Sequence, residues 1–148
     1  MALKTLFASS LGRSAVRSLG GSGIASFNGS FRSFSLNSSL FNISEIKNLP
    51  ELNSILKDNK ENLTFVDFYA TWCGPCKAIS PLLEELSKSY KEDKVQFYKV
   101  DVDSSQDLTM EFGVSHMPTF ILFKNNEAIG KITGANPKAI KSAIEKYK

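Results

Sequence analysis

Hydrophobic and polar positions alternate along this chain with a period that changes several times. Phe41 to Ile46 is compatible with a short first strand. Leu49, Leu52, Ile55 and Leu56 then recur at helical spacing, behind Asn48 and Glu51, which sit three apart like a capping pair; Pro50 is tolerated in a first helical turn. "LTFVDFYA", Leu63 to Ala70, is β-prone and mostly apolar, as a central strand covered on both faces must be. Ala78 to Tyr90 returns to helical spacing through Ile79, Leu82, Leu83 and Leu86, with a kink expected at Pro81, which lacks an amide hydrogen. Val95 to Val102 predicts a strand, Gln106 to Phe112 a short helix, and Thr119 to Phe123 another core strand. Lys124 to Glu127 carries turn chemistry into an edge strand, Ala128 to Thr133. Pro137 opens a last helix, Lys138 to Tyr147, that turns Ile140 and Ile144 inward. The predicted order is β, α, β, α, β, α, β, β, α.

The pattern before Phe41 is different. Residues 1–37 are rich in serine and glycine, and Leu3, Phe7, Leu11 and Ala15 fall four apart while Arg13 and Arg17 project elsewhere. No acid precedes Glu45, whereas Lys4, Arg13, Arg17 and Arg32 do; the remainder carries 14 basic against 15 acidic side chains. The overall charge of +3 therefore belongs to the leading segment, and the rest gives no reason to expect nucleic acid as a partner. The apolar runs of this segment are too interrupted for a membrane span or a secretory signal. It reads as a transit peptide, with a plastid address or a plain basic tail as the alternatives; "FRSFS", Phe31 to Ser35, is similar to the arginine-proximal cleavage sites of mitochondrial matrix precursors. The expected organisation is a removable peptide over 1–37 and one folded domain over 38–148, within the size of a single core.

Both cysteines of the chain lie in "TWCGPCK", Thr71 to Lys77. A tetrahedral zinc site needs four ligands, and Cys73, Cys76 and the single histidine, His116, make three, so no metal is expected. A structural staple is equally poor, because a disulfide stabilises by closing a long loop and this one closes about four residues. A reversible dithiol–disulfide couple needs what the spacing supplies: one thiolate to attack a substrate disulfide and a second thiol within reach of the mixed disulfide. Asp67 is the anomaly of its strand. It either faces water at a strand edge or is buried, and a buried carboxylate must be paired or held protonated by desolvation.

"VDFYATWCGPCK", the proline eight residues after Cys73, "HMPTF" and "ITGA" together resemble the thioredoxin family, over about Phe41 to Lys148; with the leading segment, the resemblance is to its mitochondrial members. The resemblance implies an α/β thioredoxin fold, a central mixed sheet of five strands flanked by four helices. It implies Cys73 as nucleophile at a helix N-terminus, where unpaired amides and the helix dipole favour a thiolate, and Cys76 as the less exposed resolving thiol. Gly74 and Pro75 keep the loop tight, and the absence of a bulky or basic residue there is like a reductant rather than the oxidising relatives. It further implies Asp67 as a buried proton acceptor for Cys76, approached by Lys99, and a cis Met117-Pro118 bond against the cysteines. Trp72, Gly74, Pro75, Met117, Pro118, Thr133, Gly134 and Ala135 would form a flat docking surface for an extended substrate segment. For Lys99, Met117-Pro118 and Gly134 the residues alone also allow a solvated lysine, an ordinary trans turn and a simple turn glycine.

The chain departs from the commonest family pattern at Tyr69, where tryptophan is frequent, and at Thr71, where an acid is frequent. His116 is either an exposed loop histidine or a rim residue that tunes partner choice. The function implied is reduction of client disulfides, such as those of peroxiredoxins, in the mitochondrial matrix. No bound cofactor is expected, electrons arriving from NADPH through thioredoxin reductase, and the protein is taken as a monomer with no membrane partner. A redox-independent binding subunit or holdase is the alternative from another class, and a net oxidase or isomerase is a third.

Overall fold

The computed structural model describes residues Ile43–Lys148. The expected transit peptide over 1–37, residues 38–42 and the first two positions of the expected first strand lie outside them. The chain order is β1 (Ser44–Glu45), α1 (Leu49–Asp58), β2 (Leu63–Tyr69), α2 (Gly74–Ser89), β3 (Val95–Asp101), α3 (Gln106–Glu111), β4 (Thr119–Lys124), β5 (Glu127–Thr133) and α4 (Pro137–Tyr147). The strands form one mixed sheet in the order β1-β3-β2-β4-β5. β1, β3 and β2 run parallel, and β4 and β5 are antiparallel to their neighbours. This is the thioredoxin fold expected from the sequence.

Alternation along β2 explains the two-sided burial that its apolar run predicts. Val66 and Phe68 join Ile46, Leu52, Leu56, Val100, Leu108, Ile121 and Phe123 in a core against α1 and α3. Leu63 and Phe65 point the other way, to Ile79, Leu83 and Leu86 of α2 and Ile140 and Ile144 of α4. β2 thus lies at the centre of three layers, and Asp67, next in the Leu63–Phe65 series, is carried to the α2 side.

The helix starts follow their chemistry. Asn48 accepts from the Glu51 amide at 2.9 Å while Glu51 accepts from the Lys47 amide at 2.8 Å. Asn136 accepts from the amides of Lys138 and Ala139 ahead of Pro137. α2 differs from the expectation of spacing alone. It begins at Gly74, just after Cys73 as the resemblance implies, rather than at Ala78 where the hydrophobic spacing starts, and it includes Pro81 within one 16-residue element. Pro75 sits in its first turn, where the missing amide costs nothing, so the sequence that reads as a loop between the cysteines is helix. The β4–β5 turn is made by Asn125 and Asn126, both at positive φ (54° and 66°), the geometry of a two-residue hairpin turn. β5 lies at the sheet edge, and the Lys131 ammonium donates to the carbonyls of Phe112 and Gly113 at 2.9 and 2.8 Å, closing the end of α3.

Candidate active site

β2 ends at Tyr69 and α2 begins at Gly74, so the cysteines sit where a central strand hands over to a helix. The Cys73 amide donates to the Ala70 carbonyl at 3.1 Å, which folds the chain back and makes Cys73 the N-cap of α2. Its sulfur accepts from the Cys76 amide at 3.2 Å, one of the donors a helix N-terminus leaves unpaired. Cys73 and Cys76 are joined as a disulfide. In this oxidised form the expected contrast between an exposed attacker and a sheltered resolver is slight, with 5% of Cys73 and 2% of Cys76 accessible. Gly74 and Pro75 are exposed between them.

The docking residues expected from the sequence come from three loops. Trp72 is 66% exposed, and its Nε1 donates to Asp103 Oδ2 at 2.9 Å, so the indole is tethered to the loop after β3. The sequence reading missed Asp103, because no local pattern ties residues 31 apart. The Met117-Pro118 peptide is cis, and Met117 packs against the core cluster that contains both cysteines. Thr119 Oγ1 donates to the His116 carbonyl at 2.7 Å and holds this turn at the head of β4. The Gly134 amide donates to the Pro118 carbonyl at 2.8 Å, which ties the β5–α4 loop to the same turn. Gly134 has φ +91°, which an L side chain adopts only with strain. Thr133 is the ladder partner of Thr119, and Ala135 is exposed beside it. His116 is exposed, with Nδ1 2.8 Å from Ser115 Oγ.

Asp67 is buried, with 6% exposed, which settles the choice left open by residue type. Its Oδ1 meets no donor among the described residues. Desolvation pushes its pKa up from 3.8 to about 7, against the opposing pull of the Lys99 charge. Lys99 is its ladder partner on β3, yet the ammonium makes its ion pair with Glu45 of β1, at 3.9 Å. A cavity of about 100 Å³ beside Asp67 is lined by Ile43, Ser80, Leu83, Glu84 and Lys99. A larger cavity, about 580 Å³, lies along Val95–Tyr98 and includes neither cysteine, so size does not mark the chemistry here. Among the described residues no group of three His, Cys, Asp or Glu side chains converges as a metal site would require.

The sequence profile of the family described as Thioredoxin matches residues 44–146. Thioredoxin-1 of Saccharomyces cerevisiae is 47% identical over 102 residues, 69% of this chain and 95% of the relative. Mitochondrial Thioredoxin-3 of the same yeast is 44% identical over 114 residues, 77% of this chain and 87% of the relative. Among solved structures, a chain from work on the thiol-resolving mechanism of yeast mitochondrial 1-Cys peroxiredoxin through glutathione and thioredoxin systems superposes with a TM-score of 0.65 at 42% identity, covering 70% of this chain and 94% of that one. Likeness this broad, on relatives matched over nearly their whole length, makes this chain a member of the thioredoxin family and a thiol-disulfide oxidoreductase.

Proposed function

We propose that this protein reduces client protein disulfides in the mitochondrial matrix and is itself re-reduced by an NADPH-dependent thioredoxin reductase. The observation that carries the reading is the Cys73 sulfur capping α2 in a core shared with Met117, whose cis-proline turn the Gly134 amide holds. In the dithiol form the Cys73 thiolate, favoured by the helix N-terminus, attacks one sulfur of a client disulfide and the other sulfur leaves as a thiolate that takes a proton. Cys76 then loses its proton to Asp67 and attacks Cys73. This releases the second client thiol and restores the Cys73–Cys76 disulfide, so two electrons pass to the client. Lys99 tunes the Asp67 charge. Trp72, Gly74, Pro75, Met117, Pro118, Thr133, Gly134 and Ala135 dock an extended client segment by backbone pairing and weakly apolar contact. Peroxiredoxins are clients of fitting chemistry, and a yeast mitochondrial peroxiredoxin is the subject of one similar structure.

Direction is a matter of reduction potential. Equilibrated against glutathione, the Cys73–Cys76 disulfide is expected to persist in mixtures that reduce the oxidising C-x-x-C proteins, as a strong reductant requires. A dithiol dominating in those mixtures would make the protein an oxidase or isomerase.

The matrix address rests on residues 1–37, with their arginines and lack of acids, and on the likeness to a mitochondrial relative. Deleting 1–34 is expected to leave insulin-disulfide reduction and the thermal midpoint nearly unchanged while stranding the protein outside mitochondria. A truncated protein that still enters the matrix, or an intact N-terminus on the organellar form, would refute the transit peptide.

A further inference from the structure

Glu45, Lys99 and Asp67 form a row across three adjacent strands. Glu45 on β1 is the ladder partner of Lys99, and Lys99 is the ladder partner of Asp67 on β2. One cation is therefore flanked by two carboxylates, one exposed and one buried. The cation sits with the exposed one: Nζ lies 3.9 Å from Glu45 Oε2. Tyr69, two residues beyond Asp67 on the same face of β2, reinforces that choice twice. Its ring lies under the ammonium, 5.4 Å from ring centre to Nζ, and its hydroxyl donates to Glu45 Oε2 at 3.4 Å.

We propose that Glu45 and Tyr69 are positioning residues that hold the Lys99 ammonium on the Glu45 side of this row, away from ion pairing with Asp67, and so keep the buried carboxyl strongly proton-binding. This rests on the role of Asp67 as proton acceptor proposed above. The physical basis is competition. A cation drawn toward Asp67 would favour its charged form, whereas a cation drawn off by a second carboxylate leaves desolvation to dominate. The phenol stays protonated and able to donate, since burial first, then the charges of Glu45 and Asp101, push its pKa up to about 12.

The other groups facing Asp67 do not replace this arrangement. Glu84 of α2 lines the adjoining cavity as a further acid, Asp101 of β3 lies beyond Lys99 along its strand, and Phe120, the β4 ladder partner of Asp67, is apolar. α4 contributes Ile140 and Ile144 to this face. The cysteine sulfurs do not titrate while oxidised.

The oxidised full-length protein, labelled with carbon-13 at the aspartate carboxyls, gives the titration of Asp67 directly, whether or not that group takes part in resolution. Glu45→Gln is expected to lower the Asp67 midpoint by about one unit, and Tyr69→Phe to lower it in the same direction by less. In a Lys99→Met background the Glu45→Gln shift is expected to shrink to roughly half or less, because the glutamate acts through the lysine. An unchanged midpoint in both single variants would overturn the proposal. So would a Glu45→Gln shift of full size without the lysine, since Glu45 would then act by its own charge alone. If the titration moves as expected but the pH profile of mixed-disulfide resolution does not follow, the positioning stands and the proton-acceptor role of Asp67 falls.

Discussion

Cys73→Ser is expected to reduce insulin disulfides no faster than the uncatalysed background, while Cys76→Ser keeps the attack and accumulates mixed disulfides with its clients. Exposure does not separate the two sulfurs, because both are buried in the disulfide form. Position on α2 does. Cys73 is the N-cap, with its sulfur against an otherwise unpaired amide, whereas Cys76 lies inside the first turn and supplies that amide. A thiolate at the N-cap gains a charge-assisted hydrogen bond and the favourable end of the helix dipole. Removing the Cys73 sulfur removes the attacking atom; removing that of Cys76 leaves the first step intact and stops the second. Non-reducing electrophoresis and mass spectrometry of trapped complexes read the difference. Client capture by Cys73→Ser, with none by Cys76→Ser, would reverse the assignment.

Asp67→Asn is expected to slow resolution of the mixed disulfide by about 10- to 100-fold at neutral pH, at or below the lower end of the usual worth of a general base. It is also expected to stabilise the protein, and the sign follows from linkage. Burial raises the Asp67 pKa from 3.8 to about 7, so between these values the folded state holds a proton that the unfolded chain has lost. Wild-type stability therefore falls as pH rises through this window and levels off above it. Below the unfolded value both states are protonated and nothing is lost. A displacement of about three units corresponds to about 4 kcal/mol, so the asparagine variant should gain up to that amount at pH 8 and almost nothing at pH 3. Urea denaturation across pH measures it. Wild-type resolution rates between pH 6 and 8 would reduce Asp67 to a structural residue. A loss of stability at high pH would show that the carboxylate is held by a partner, Lys99 first.

The elements were legible where burial imposes one period. β2 is covered on both faces and reads as continuous apolar sequence; α1 and α4 are covered on one face and carry their own caps. The start of α2 was legible only through the family motif, which puts Cys73 at a helix N-terminus; the hydrophobic period begins later, because glycine and proline read as loop and cysteine is not among the usual capping residues. The cysteine pair, its neighbouring turn and the buried Asp67 were readable from the motifs, although residue type alone left the burial of Asp67 open. Two features of the site were not. The Trp72 tether to Asp103 joins distant loops. The pairing of Lys99 with Glu45 depends on the register of β1 against β3, and no sequence period encodes register between strands so far apart in the chain.

Lys131 has a second consequence, for how copies of this protein behave when crowded. β5 pairs with β4 on one side and is a seven-residue strand at the margin of the sheet, a template on which another polypeptide could build by backbone pairing. A charged side chain in the middle of such a strand discourages that growth, and lysine is the residue folded proteins use most for this purpose. Here the same ammonium is anchored on two carbonyls at the end of α3, so the side chain is held in place rather than averaged over many rotamers. Protection against self-association and closure of a short helix thus reside in one side chain, and an apolar residue at position 131 would forfeit both at once.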